Sequence, residues 1–188
     1  APLLGIIGRI TRKKGQLFLL EALVELKKRG IEMELLIFGS ATINDQESKN
    51  YYKLILQFVK KNEIQNIVHF VEHQEDVTVF YNAIDVFALA SHSETFGMVT
   101  VEAMLSKLPI IATKSGGTSE ILGYGNYGLL YEYENHVEFC QNVSWLLDNK
   151  TEIDKMSCHA QEVAIKNYKL EIEVEEIDKL IRTLMLEG

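Results

Sequence analysis

What this sequence lacks narrows its function first. Its 188 residues include two cysteines, two prolines and one tryptophan. Cys140 and Cys158 are far apart and form no CxxC pair, so a zinc ribbon or thioredoxin-type redox centre is excluded. Each reads as a small hydrophobe, and with no disulfide called for the expected compartment is a reducing cytoplasm. No apolar run approaches the length of a membrane span, and no secretory signal is legible. An excess of positive charge is missing as well. Nineteen Lys and Arg stand against 27 Asp and Glu, a formal net charge of -8. Nucleic acid is therefore not expected as a partner, because binding a phosphate backbone runs on Lys and Arg. HExxH, DxD and paired Cys/His spacings are absent, so no metal and no resident cofactor is expected. The loop after the first strand, Gly8 to Gly15, is neither a GxGxxG nor a P-loop, which removes support for NAD binding and ATP hydrolysis.

What is present is an ordinary soluble composition, 47% hydrophobic and 24% charged. The length suffices for one domain with a sizeable core. Strand-like apolar runs occupy Leu3–Ile7, Glu34–Phe38, 67–71, 85–90, 109–112 and 128–131. Between them, apolar residues recur at helical spacing: Leu17, Leu20 and Val24, then Tyr51, Leu54, Ile55 and Phe58, then Phe139, Val143, Leu146 and Leu147. A last helix is predicted over 170–186, with Ile177, Leu180, Ile181 and Leu184 on one face. Strand–helix alternation predicts an α/β fold: a doubly wound, mainly parallel, six-stranded Rossmann-like sheet over 1–188, with helices on both faces. The chain opens on a strand without an initiator Met, which reads as a segment of a longer protein. The stretch 39–49 reads as an exposed loop.

In such sheets ligands bind beyond the carboxyl ends of the strands. Four loops qualify, beginning at Gly8, Gly39, Ser91 and Thr113. The first reads Gly8-Arg9-Ile10-Thr11-Arg12-Lys13-Lys14-Gly15 and leads into a helix. It is either a phosphate-binding loop, with cations and a helix N-terminus on one anion, or a solvated charge run. In the third loop Glu94 is expected just before a helix and Glu102 inside it. Free N–H groups of Phe96, Gly97 and Met98 would face a ligand, and two carboxylates would accept from a polyol. The other reading is that both glutamates complement the helix dipole. The loop Ser115-Gly116-Gly117-Thr118-Ser119-Glu120 suits a tight turn, with Thr118 or Ser119 capping a short helix. His69 reads as structural, and His73 and His92 as loop histidines beside the cleft.

Taken in register, these residues resemble the C-terminal domain of retaining glycosyltransferases with two Rossmann domains (the GT-B arrangement), in particular glycosyltransferase family 4. The resemblance rests on Gly8-Arg9, Lys14-Gly15, Glu94-x7-Glu102, Pro109 and Gly116-Gly117-x-x-Glu120, in that order. It extends to the Ser-x-x-Glu-x-Phe-Gly phrasing at 91–97 and to Glu102-Ala103-Met104, and it covers essentially the whole chain. It implies that Gly8, Arg9 and Lys14 hold the diphosphate of a nucleotide-sugar donor, with Arg9, Lys14 and Glu94 catalytic. Glu94 would contact the transferred sugar and Glu102 the ribose hydroxyls. Backbone N–H groups of Phe96, Gly97 and Met98 would assist, and the base would lie near Val71, Glu72 and His73. The acceptor, a glycan or lipid-linked saccharide, would bind an N-terminal domain that this chain lacks. The isolated domain would then be inactive alone, and the whole enzyme would sit in the cytoplasm, with peripheral membrane association through its other domain. Rivals are an epimerase or hydrolase of nucleotide sugars with the same fold, or a non-catalytic binding domain. Two positions depart from the family pattern. Lys107 stands where Gly closes the Glu102 helix, so that turn is expected to differ. Glu72 stands where a Gly is usual near the base.

Overall fold

The structure, a computed structural model, describes residues 1–92 and 97–168. Strands β1 (Leu3–Ile7), β2 (Glu34–Phe38), β3 (Val68–Val71), β4 (Val86–Leu89), β5 (Ile110–Thr113) and β6 (Leu129–Tyr131) form one sheet in the order β3-β2-β1-β4-β5-β6. Every pairing is parallel. The order reverses between β1 and β4, where a doubly wound sheet opens its crevice.

The strand sequences carry apolar residues at consecutive positions because both faces are covered. Leu4, Ile6, Leu35, Ile37, Val86, Ala88 and Ile111 point to one core, with helices α1 (Gln16–Lys28), α2 (Gln46–Lys61) and α6 (His136–Asp148). Ile7, Leu36, Phe38, Phe87, Leu89, Ile110 and Ala112 point to the other. There they meet α3 (Thr78–Ala83), α4 (Met98–Leu105), α5 (Thr118–Ile121) and the far part of α7 (Lys150–Asn167). Alternation with period two along each strand thus becomes two separate cores.

The fold follows the sequence reading, with local corrections. Ile67 belongs to a 3-10 turn, Gln65–Ile67, and β3 starts one residue later. Asp85 lies outside β4 because its carboxylate accepts from the Leu3 N–H at 2.7 Å, stitching the start of β1. The predicted loop 39–49 is shorter: Asp45 caps α2, accepting from the N–H groups of Glu47 and Ser48. Neither Thr118 nor Ser119 caps α5; Gly117 is the cap residue and no side chain serves. Helix α7 has no sequence forecast because its buried face is Ile153, Ser157, Ala160 and Ala164, too small and polar to register as an apolar stripe. The helix predicted over 170–186 lies outside the described residues.

Lys107 does not alter the turn after α4. It adopts the left-handed conformation at φ 57° itself. Its N–H donates to Met104 O at 2.9 Å, and that of Leu108 to Ala103 O at 3.1 Å. These bonds satisfy carbonyls that the helix end leaves open. The turn is kept, at the steric cost of a Cβ.

Candidate functional site

The cationic loop leaves β1 and is braced through its backbone. Ile10 N–H donates to Ser40 O at 3.1 Å, and Gln16 Nε2 donates to Arg9 O at 2.9 Å. The Ser48 hydroxyl donates to Ile10 O at 2.8 Å, and His92 N–H donates to Lys13 O at 3.0 Å. The main chain that carries the cationic side chains is thus held from α1, α2 and the loops after β2 and β4. The Lys14 side chain lies across Gly8, its carbons 3.7–4.0 Å from where a Cβ would stand. Arg12 is turned the other way, its guanidinium 5.3 Å from the centre of the Tyr51 ring.

Tyr51 changes the reading of the first helix N-terminus. Gly15, the residue before α1, has no side chain to cap with. The phenol of Tyr51 accepts from the Leu17 N–H at 2.9 Å and does it instead. Burial raises the Tyr51 phenol above its ordinary value, against the lowering pull of the Leu17 N–H and the Arg12 charge. One amide of that terminus is therefore already paired, which leaves one N–H fewer for an anion there.

A cleft of about 650 Å³ opens beyond the carboxyl ends of β1 and β2. Gly8, Arg9, Gly39, Ser40, His73 and Glu102 are among the residues that line it. The two strand ends come so close that a Cβ on Gly39, at φ 153°, would lie 2.0 Å from the Gly8 carbonyl oxygen. Only glycine closes this floor. The His73 N–H donates to the Ser40 hydroxyl at 3.2 Å, and the His73 ring meets Phe38 edge-on at 6.2 Å. On the opposite wall Glu102 is half-buried on α4, and the Tyr81 O–H donates to its Oε2 at 2.6 Å. Gly97, in the left-handed conformation, precedes Met98 at the start of α4 with no side-chain cap there.

The structure brings together Gly8, Arg9, His73 and Glu102 on one cleft, with Lys14 beside Gly8. Val71 is partly buried against the second core, and its carbonyl accepts from the Gly39 N–H at 2.8 Å. Glu72 is exposed, and neither it nor Val71 lines the cleft. Glu94 and Phe96 lie outside the described residues. His92 packs edge-on against Tyr133 at 4.8 Å, and His69 pairs with Glu34 across β2 and β3 at 2.6 Å. Both cysteines are free thiols, Cys140 buried. Among the described residues no group of three or more His, Cys, Asp or Glu side chains could hold a metal ion, and no helix is long and apolar enough to cross a membrane. Sequence reasoning missed Tyr81, Tyr51 and Ser40. Tyr51 had signalled only as part of an apolar stripe, and nothing in the order of residues joins Tyr81 to Glu102, 21 positions on.

Comparison with known proteins agrees with this architecture. The chain is 25% identical over 186 residues to the capsular polysaccharide biosynthesis glycosyltransferase CapM of Staphylococcus aureus, covering 98% of this chain and 47% of that protein. The structure of Anabaena Alr3699/HepE in complex with UDP-glucose superposes with a TM-score of 0.87 at 24% identity, over 96% of this chain and 48% of that one. The C-terminal domain of a glycosyl transferase group 1 family protein, LpcC of Francisella tularensis, superposes with a TM-score of 0.78 at 27% identity, over 90% and 87%. The chain spans about half the length of the curated relatives it matches. Residues 1–163 match the family model described as glycosyl transferases group 1, and the chain belongs to that family.

Proposed function

We propose that this chain is the donor-binding domain of a retaining glycosyltransferase of family 4, which moves a sugar from a nucleoside-diphosphate sugar to a glycan or lipid-linked acceptor. One observation carries the reading. A cation, Arg9, and a carboxylate, Glu102, line the same cleft beyond the ends of parallel strands, where such sheets take ligands. The UDP and UDP-glucose complexes of HepE, which shares the fold, support a nucleotide sugar as the donor class.

The roles follow from the chemistry. When the bond between sugar and diphosphate breaks, negative charge builds on the leaving phosphate. Arg9 and Lys14 stabilise it, on a frame that needs no reorganisation as the charge appears. Glu102 accepts from the ribose hydroxyls, and His73 lies toward the base. Glu94 and the N–H groups of Phe96, Gly97 and Met98 serve the sugar and the adjacent phosphate; for Glu94 and Phe96 this rests on the family resemblance. The cations take the place of a metal, so none is required. The acceptor and the remaining catalytic groups belong to an N-terminal domain, and the whole enzyme works in the cytoplasm at the inner face of the membrane.

The test is calorimetric titration of the full-length protein with UDP, GDP, ADP and CDP, followed by turnover of the matching nucleotide sugar. The expected outcome is tight binding of one diphosphate and its release from the sugar donor only when an acceptor is present. Release without acceptor would identify a hydrolase, isomerised sugar an epimerase, and binding without turnover a non-catalytic domain.

A further inference from the structure

Glu102 has an assigned neighbour that no motif contains. Tyr81 stands on α3, and its phenolic oxygen lies 2.6 Å from Glu102 Oε2 and 3.3 Å from Val99 O. The first distance falls in the range of an O–H donating to an ionised carboxylate, a bond about twice as strong as one between neutral groups. The ring cannot drift from this position. Tyr81 is 4% exposed and sits edge-on to Phe80 at 5.0 Å and tilted against Phe87 of β4 at 6.1 Å. Burial first, then the hydrogen bond and charge of Glu102, push the phenol well above its ordinary value. It therefore remains a donor throughout the neutral range. Glu102 lines the cleft while one of its oxygens is tied to the wall behind it.

We propose that Tyr81 is a positioning residue, which locks the rotamer of Glu102 so that its carboxylate meets the ribose diol of the nucleotide in a fixed orientation. The proposal rests on the donor-site reading above. A glutamate side chain loses several rotatable bonds when it binds a ligand, and this loss weakens binding unless the rotamer is set beforehand. Tyr81 sets it when the protein folds. The consequence is selectivity for ribose over its deoxy forms, because only a carboxylate held in place rewards both hydroxyls.

The experiment is a binding cycle on the full-length protein. UDP, GDP, ADP and CDP are screened, and the tightest is titrated together with its 2′,3′-dideoxy analogue. The proteins are wild type, Tyr81→Phe, Glu102→Gln and the double variant, each checked for folding by its melting transition. Phe keeps the ring contacts with Phe80 and Phe87 and removes only the O–H. The expected result is that Tyr81→Phe weakens the ribose form about tenfold and the dideoxy form much less. In the Glu102→Gln background, adding Tyr81→Phe should cost no further discrimination. If Tyr81→Phe keeps the wild-type ratio of the two affinities while Glu102→Gln abolishes it, the positioning role is overturned and the donor-site reading stands. If Glu102→Gln also keeps the ratio, or wild type binds none of the four diphosphates, both fall.

Discussion

Arg9 and Gly15 show how differently two residues of one loop contribute. The Arg9 side chain is exposed on the cleft, and its carbonyl accepts from Gln16. Arg9→Ala should therefore leave the fold unchanged. It should weaken a nucleoside diphosphate by about 1.5–3 kcal/mol, the worth of hydrogen bonds to a charged group, and leave the bare nucleoside almost untouched. Calorimetry with both ligands decides this, and equal losses would make Arg9 structural. Gly15 is the reverse case. At φ 75°, a Cβ would stand 2.2 Å from the carbonyl oxygen of Ala90, which belongs to the backbone and cannot yield. Gly15→Ala should cost about 2–4 kcal/mol in urea unfolding, from strain and overpacking together. A midpoint like that of wild type would mean the β1 and β4 loops are not locked together here.

At the scale of elements, helix ends carry the testable energetics. α1 begins after a glycine and is capped from another helix by the Tyr51 phenol. Tyr51→Phe keeps the ring under Arg12 but orphans the Leu17 N–H. It should lower stability by about 1–2 kcal/mol, as loss of a helix cap does. α4 ends the opposite way, with a residue that fits its conformation poorly. Lys107 holds φ 57°, where a side chain is disfavoured and glycine is not. Lys107→Gly should raise stability by about 1 kcal/mol, read from the unfolding midpoint. No gain would show that the lysine side chain has compensating contacts at the end of the helix.

The whole molecule sets what the site can do. The chain spans about half of its curated relatives, and the cleft lies on an open rim of the sheet. On the proposed reading, in which a further domain supplies the acceptor side, the chain by itself should bind a nucleoside diphosphate and transfer no sugar. Transfer by the 188-residue chain alone would sink the two-domain reading. If Arg9 and Lys14 serve the leaving phosphate as proposed, transferase activity of the full-length protein should survive excess EDTA. Loss of activity in the chelator, with recovery on adding magnesium or manganese, would assign the charge stabilisation to a metal.

The linear sequence by itself determined the architecture and the location of the cleft. Continuous apolar strand runs alternating with helical stripes admit little besides a doubly wound parallel sheet, and such a sheet places ligands at its carboxyl edge. That logic sets Gly8, Arg9 and the loop that leads into the Glu102 helix at one edge of the sheet, and the family resemblance adds Glu102 itself. It stopped at contacts between residues distant in the chain. Nothing in the spacing says that the Tyr51 phenol occupies an amide at the start of α1, because the bond spans 34 positions and is made by packing α2 against α1. Nor could spacing find the Tyr81 hydroxyl behind Glu102, since both lie on helices whose facing is decided by the second core. Helix α7 was illegible for a related reason: small residues lack a hydrophobic stripe of their own and become a packing surface only when α4 is laid against them. Local propensity and periodicity act over a few residues, and they chose the elements. Close approach between elements is settled by the fit of whole faces, and the tertiary structure alone decided which polar atoms meet there.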